Sequence, residues 1–218
     1  TEVQHHFIQN MSVTNEYNAG KFEIDAIKLI TELHKKKDVI IAVGGSGFYI
    51  DSICKGFDNI PTVAIKLRQQ LSNEFKEKGK IWLQNKVQKI DSEFYRNCDK
   101  SNSQRLLRAL EVFKQTNKTF SSFKTKKAKE RKFEIIKLGL ETDRKILYKR
   151  INHRVDKMIA AGLVDEVHSL IPYKQLNALQ TVGYKELFHY HNDKVTLEIA
   201  VNNIKQNTRR FAKRQITW

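Results

Sequence analysis

Apolar residues recur at helical spacing over Phe22, Ala26, Leu29, Ile30 and Leu33, which predicts an amphipathic helix. Lys35, Lys36 and Lys37 follow it and suit the negative end of a helix dipole. The pattern then changes. Val39, Ile40, Ile41, Ala42 and Val43 form a continuous apolar run between Asp38 and Gly44-Gly45, which reads as a buried strand of a parallel sheet. Residues Phe48 to Cys54 are expected to open another helix.

Pro61 marks a boundary, and helical patterns follow it. The first carries Ala64, Leu67, Leu71 and Phe75 and stops at Gly79; the second carries Leu83, Val87 and Ile90; the third carries Leu106, Leu110 and Phe113. The basic segment 124–132 reads as an exposed loop. Phe133 to Leu140 alternates and predicts a second core strand. Thr142 is placed to cap a helix with the stripe Leu147, Ile151, Val155 and Met158, and Gly162 to end it. A short helix, Leu163 to Leu170, ends near Pro172, and Leu179 to Tyr184 reads as a loop. Thr196 caps a last helix with Leu197, Val201, Ile204, Thr208 and Phe211 on one side. Strand and helix alternating around a helical block predict the α/β class. A parallel-sheet core is expected over residues 1–60 and 126–218, and an all-helical insertion domain over 61–125.

Charge sharpens this picture. The 218 residues carry a formal net charge of +16, which favours polyanionic partners, nucleic acid or anionic membrane. The excess is clustered: Lys124 to Lys132 holds Glu130 as its one acid, and Lys205 to Arg214 holds none. No apolar run reaches the roughly 18 residues of a membrane span, and residues 1–20 lack a signal-peptide pattern. Cys54 and Cys98 have neither CxxC spacing nor neighbouring histidines, so they read as reduced thiols of a cytosolic protein rather than zinc ligands. His5-His6 on a strand would point oppositely and chelate no common metal.

Four stretches carry candidate chemistry. Val43-Gly44-Gly45-Ser46-Gly47-Phe48-Tyr49 sits between the first predicted strand and a helix, where backbone amides and the Ser46 hydroxyl can meet an anion. It is neither GxxxxGK[ST] nor GxGxxG, and a tight turn without a ligand is the alternative. Gln104-Arg105-Leu106-Leu107-Arg108 places two guanidiniums three residues apart on one helix, a phosphate reader or a solvated face. Arg150 and Arg154 could clamp a pyrophosphate, or pair with nearby acids. The tail Arg209 to Trp218 alternates basic and aromatic residues, as phosphate contact with base stacking requires.

In order along the chain, these stretches resemble the tRNA dimethylallyltransferase (isopentenyltransferase) family. The resemblance is carried by His5-His6-Phe7-Ile8, Tyr17-Asn18-Ala19 ahead of Phe22, Val43 to Tyr49, Gln104 to Glu111, Arg150 to Asp156 with Gly162-Leu163, Thr181-Val182-Gly183-Tyr184-Lys185-Glu186, and Ala212 to Trp218. It implies a P-loop NTPase-like core with a helical insertion. It also implies transfer of dimethylallyl from dimethylallyl diphosphate to N6 of adenosine 37 beside the anticodon, the base being flipped into a channel. Ser46 takes the place of the family's threonine in the turn that meets substrate. The resemblance assigns tRNA contacts to Gln104, Arg105, Leu106, Leu107, Arg108, Thr181, Val182, Gly183, Tyr184, Lys185, Lys213, Arg214 and Gln215, and also to Arg68. It assigns diphosphate contacts to Arg150 and Arg154. Partners are the tRNA anticodon stem-loop and the prenyl diphosphate, with magnesium as cofactor, in a cytoplasmic monomer. The glycine turn, the double-arginine helix and the last helix are expected to converge on one groove.

The family's P-loop and general-base aspartate are expected upstream of Thr1, so the chain by itself is expected to be inactive. It lacks the zinc finger of eukaryotic members, which leans towards a bacterial type. Rival readings are an adenylate isopentenyltransferase, a non-catalytic RNA-binding module and a small-molecule kinase.

Overall fold

The computed structural model describes residues 3–125 and 127–218. The chain divides into two compact units, a larger one from Thr1–Cys54 with Arg131–Trp218 and a smaller one, Lys55–Glu130.

In the larger unit, α1 (Ala19–Leu33) starts where the Asn18 side chain accepts from the amides of Gly20 and Lys21. It buries Ala19, Glu23, Ala26 and Ile30 and packs on α2 (Gly47–Cys54). Further along, α6 (Arg144–Ala160), α7 (Leu163–Ser169), α8 (Tyr184–His191) and α9 (Leu197–Ile216) bury Val155, Leu163, Val167, Leu187, Phe188, Ala200 and Ile204 against one another. Gly162 adopts a left-handed φ of 95° between α6 and α7, the conformation that glycine reaches without steric cost. The cap of α6 is Asp143, not Thr142: its carboxylate accepts from the amides of Lys145 and Ile146 at 2.8 and 3.1 Å. Thr196 caps α9 as its position predicts, accepting from the amide of Ile199.

The expected parallel sheet is absent: no strand occurs among the described residues, which are helical or irregular. Both runs assigned to strands are largely exposed, Ile41 by 82%, Val43 by 93% and Leu138 by 88%. A parallel strand exists only when neighbours take its amides and carbonyls on both sides. Here nothing among the described residues supplies that ladder. A second correction concerns segment 124–132. Arg131 is not exposed: its guanidinium donates to the carbonyls of Ser52 (2.7 Å) and Ile53 (2.8 Å) and pairs with Glu23 at 3.1 Å, both side chains being under a tenth exposed. It therefore ties the C-terminal turn of α2 to α1.

The smaller unit is helical. Its core joins Leu71, Leu83, Val87, Phe94, Leu106, Leu107, Ala109 and Leu110. These come from α3 (Ile65–Ile90), α4 (Ser92–Asn97) and α5 (Ser103–Thr116). Helix α3 is broken at Gly79, with φ 75° and ψ −175°, at the residue where the first helical pattern stops. A Cβ there would meet nothing within 4 Å, so the penalty of a side chain is conformational alone. Gly79→Ala is expected to lower unfolding stability by about 1–3 kcal/mol, read by urea titration, without changing the m-value. At the other end of this unit Thr125 donates from its hydroxyl (2.6 Å) and its amide (3.0 Å) to Asp58. The hydroxyl bond holds the Asp58 carboxyl below its ordinary range, with Lys124 and Lys129 helping.

Candidate functional site

The glycine turn of the larger unit is built by two helices. The Ser46 carbonyl accepts from the amides of Tyr49 and Ile50, each at 3.0 Å, and so begins α2. From the far end of the chain, the Gln215 side-chain amide donates to the Gly45 carbonyl at 2.6 Å. The Trp218 indole donates to Asp51 at 3.2 Å and lies over Gly47. Sequence reasoning placed both stretches in one site. What it missed is that Gln215 points at the turn, because a residue pair 170 positions apart leaves no periodic signal.

Behind the turn, Phe7 packs edge-on against Phe22 (5.2 Å between centroids), and Phe22 against Tyr49 of α2 (4.9 Å). Phe7 and Gln9 hold left-handed φ values of 61° and 51°. A bulky residue there is strained, and such strain survives only where surroundings over-determine it. The aromatic ladder provides that hold for the His5 to Gln9 segment. Nearby, burial and a hydrogen bond to Asp25 (2.9 Å) push the Tyr17 hydroxyl up to about 12, so it donates without ionising.

Along α6 and α9, the basic residues fall into separate groups. Arg150 and Arg154 are exposed on α6 and have no carboxylate within ion-pair distance among the described residues. Arg144, Tyr148 and Asn152, four residues apart, share another side of the helix. There Arg144 stacks on Tyr148 (5.2 Å), Arg209 of α9 approaches the same ring (5.8 Å), and Arg209 donates to Asn152 at 2.7 Å. That cluster was not singled out from the sequence, although its spacing was readable. Lys205 pairs with Asp156 at 2.5 Å, and Arg210 donates to Asn207 at 3.1 Å. Lys213 and Arg214 are exposed, and neither has an acid partner among the described residues; Arg214 lies over the Phe211 ring at 5.4 Å.

Thr181 to Lys185 lead into α8. The Gly183 amide donates to Glu186 at 2.8 Å, and Glu186 accepts from Asn207 of α9 at 2.6 Å. Tyr184 donates to Glu166, and burial with this bond pushes its hydroxyl up to about 12. Val182 packs on the core. Of this stretch, Thr181 and Lys185 are exposed, while Gly183 and Tyr184 are used to seat α8.

The smaller unit holds the remaining candidates. Gln104 and Arg105 are exposed in the first turn of α5, which the Asn102 side chain caps. Leu106 and Leu107 are buried in that unit's core, so their side chains position the helix and cannot reach a ligand. Arg108 is turned inward, donating to the Pro61 carbonyl at 3.0 Å and pairing with buried Glu111 at 3.4 Å. Arg68 pairs with the same carboxylate at 3.5 Å. These arginines offset a buried acid first, which leaves Gln104 and Arg105 as the open pair.

The described residues contain no group of three or more His, Cys, Asp or Glu side chains able to hold a metal ion. The groups left open in these stretches are mainly hydroxyl, amide, guanidinium and ammonium, which suit phosphate. Among the described residues, no helix is long and apolar enough to cross a membrane.

Comparison with known proteins gives a consistent result. The tRNA dimethylallyltransferase of Christiangramia forsetii is 50% identical over 214 residues, covering 98% of this chain and 71% of that protein. A tRNA dimethylallyltransferase of Bacteroides thetaiotaomicron is 42% identical over 216 residues, covering 99% of this chain and 70% of that one. Among solved structures, the tRNA isopentenylpyrophosphate transferase of Bacillus halodurans superposes with a TM-score of 0.64 at 33% identity, over 99% of this chain and 68% of that one. A eukaryotic dimethylallyltransferase acting on tRNA has a TM-score of 0.76 at 23% identity, covering 99% of this chain and 56% of that one, which speaks to the fold alone. The IPP transferase family profile matches residues 1–218, and the chain belongs to that family.

Proposed function

We propose that this protein is a tRNA prenyltransferase, moving a dimethylallyl group from dimethylallyl diphosphate to N6 of the adenosine beside the anticodon. The observation that carries the reading is 50% identity to a tRNA dimethylallyltransferase along nearly the whole chain. The open cations support it, since Lys213, Arg214 and Arg105 are exposed and form no ion pair among the described residues.

In the reaction, the N6 lone pair forms a bond to the first carbon of the dimethylallyl group. The carbon–oxygen bond to diphosphate breaks, diphosphate leaves with the electron pair, and N6 loses a proton to a base. The residues of this chain hold the reactants. The Ser46 hydroxyl and the amides of its turn meet substrate at the start of α2, where the helix dipole favours negative charge. Arg150 and Arg154 receive the leaving diphosphate. Lys185, Lys213 and Arg214 of the larger unit take the RNA backbone together with Thr181, and Gln104 and Arg105 of the smaller unit do so as well; Arg68 and Arg108 contribute while bridging Glu111. Magnesium would supply further charge neutralisation of the diphosphate; no carboxylate cluster of this chain is assigned to it. On this reading the protein works in the cytosol with its tRNA, as a monomer.

The test gives the intact protein dimethylallyl diphosphate with either an unmodified anticodon stem-loop or AMP. The expected product is N6-prenylated RNA by mass spectrometry. Turnover of AMP alone would move the protein to the free-nucleotide enzymes, and RNA binding without transfer would make it a binding module. In the same assay Arg105→Ala and Arg214→Ala are each expected to weaken RNA binding. Each should reduce the slope of log affinity against log salt by about one.

A further inference from the structure

Gly45 and Gly47 have no left-handed φ, so backbone conformation does not require glycine at either position. What requires it is the end of α9. A Cβ on Gly45 would stand 1.9 Å from the Gln215 amide nitrogen, and one on Gly47 would stand 2.6 Å from the Trp218 ring. At Gly45 and Gly47 a side chain would meet another part of the same chain, the flexible Gln215 amide at one and the Trp218 ring at the other.

That contact has a directional consequence. A trans peptide is planar, with its C=O and N–H pointing opposite ways, and the described chain has no cis peptide. Holding the Gly45 carbonyl at 2.6 Å therefore fixes the Ser46 N–H, which must point away from α9. On its other side, the Ser46 carbonyl is held by the amides of Tyr49 and Ile50. Ser46 is thus fixed from both flanking peptides, by α9 before it and by α2 after it. The Trp218 bond to Asp51 adds a second tie, from just beyond α9 to α2.

We infer that Gln215 is a positioning residue for prenyl transfer, orienting Ser46 through the Gly45–Ser46 peptide rather than reading RNA. This rests on the reading of the glycine turn as a substrate site. It divides the stretch Lys213 to Trp218 between two tasks: Lys213 and Arg214 stay open to RNA, while Gln215 in the last turn of α9 and Trp218 just beyond it face the glycine turn.

The experiment uses the intact protein and four variants: Gln215→Ala, Gln215→Glu, Gly45→Ala and the Gly45→Ala/Gln215→Ala double. Transfer to the anticodon stem-loop is measured at saturating RNA, with RNA affinity and its salt slope measured separately. Gln215→Ala should lower kcat by about ten- to a hundredfold, as a misplaced reacting group does, with RNA affinity and salt slope as in wild type. Gln215→Glu should be worse, because a carboxylate then faces the Gly45 carbonyl. Alanine at position 45 displaces the flexible amide and breaks the same bond, so the double variant should lose no more than either single. Losses that multiply in the double variant would overturn the inference. So would a Gln215→Ala protein that binds RNA weakly but turns over normally. If the wild type transfers no prenyl group at all, the functional reading fails on its own. The coupling would then be read from the unfolding midpoints of the same proteins, where additive shifts would refute it.

Discussion

Replacing Arg131 with alanine is expected to destabilise the larger unit by about 3–5 kcal/mol, the cost of breaking one side of a buried ion pair. The guanidinium holds three oxygens, one from Glu23 and one each from the backbone of Ser52 and Ile53. With the guanidinium gone, the buried Glu23 carboxylate loses the Arg131 charge, and the final carbonyls of α2 lose their donor. Arg131→Lys keeps the charge but cannot span all three oxygens with one ammonium. It should recover only part of the loss. Urea titrations followed by circular dichroism measure both variants. Arg131→Ala within about 1 kcal/mol of wild type would mean that water replaces the pair at little cost.

The second large effect is expected at Asp91. This buried carboxylate accepts from the Phe94 amide (3.0 Å), the Ser121 amide (2.8 Å) and the Ser121 hydroxyl (2.7 Å). It thereby caps α4 and clamps the segment after α5, where Phe120 packs on Phe94 at 5.0 Å and Lys124 lies over both rings. Asp91→Ala leaves those donors without an acceptor. A cap is worth about 1 kcal/mol and charge-assisted bonds somewhat more each, so a loss of roughly 2–4 kcal/mol is expected. Asp91→Asn keeps the shape but turns an NH2 group towards one donor, and should recover only part. Trp82 belongs to this unit, so its fluorescence in a Trp218→Phe background reports the unfolding directly.

Helices were legible where a long stripe met a clear stop. Helix α1 and helix α9 follow their apolar spacing, and Gly79 and Gly162 fall where the chain breaks. Shorter elements were not. Helix α4 offers Phe94 as its one buried residue, and α8 begins inside a segment that reads as a loop. The strand assignments failed for a different reason. The runs at 39–43 and 133–140 record what a segment could bury, whereas pairing depends on partners that a local pattern does not contain. Site residues divided in the same way. Exposed cations such as Lys213 and Arg105 were visible as charge. The inward turn of Arg131, Arg108 and Gln215 depends on distant oxygens, those of Ser52, Pro61 and Gly45.

The two anchors of α9, Thr196 at its start and Gln215 near its end, make the helix a ruler of fixed phase. One residue inserted between them would rotate everything beyond it by about 100° and advance it about 1.5 Å. The amide would swing off Gly45, and a neighbouring cation would face the glycine turn instead. Length variation in this helix is therefore tolerable only in near-whole turns, and even these would lift the last turn from its seat.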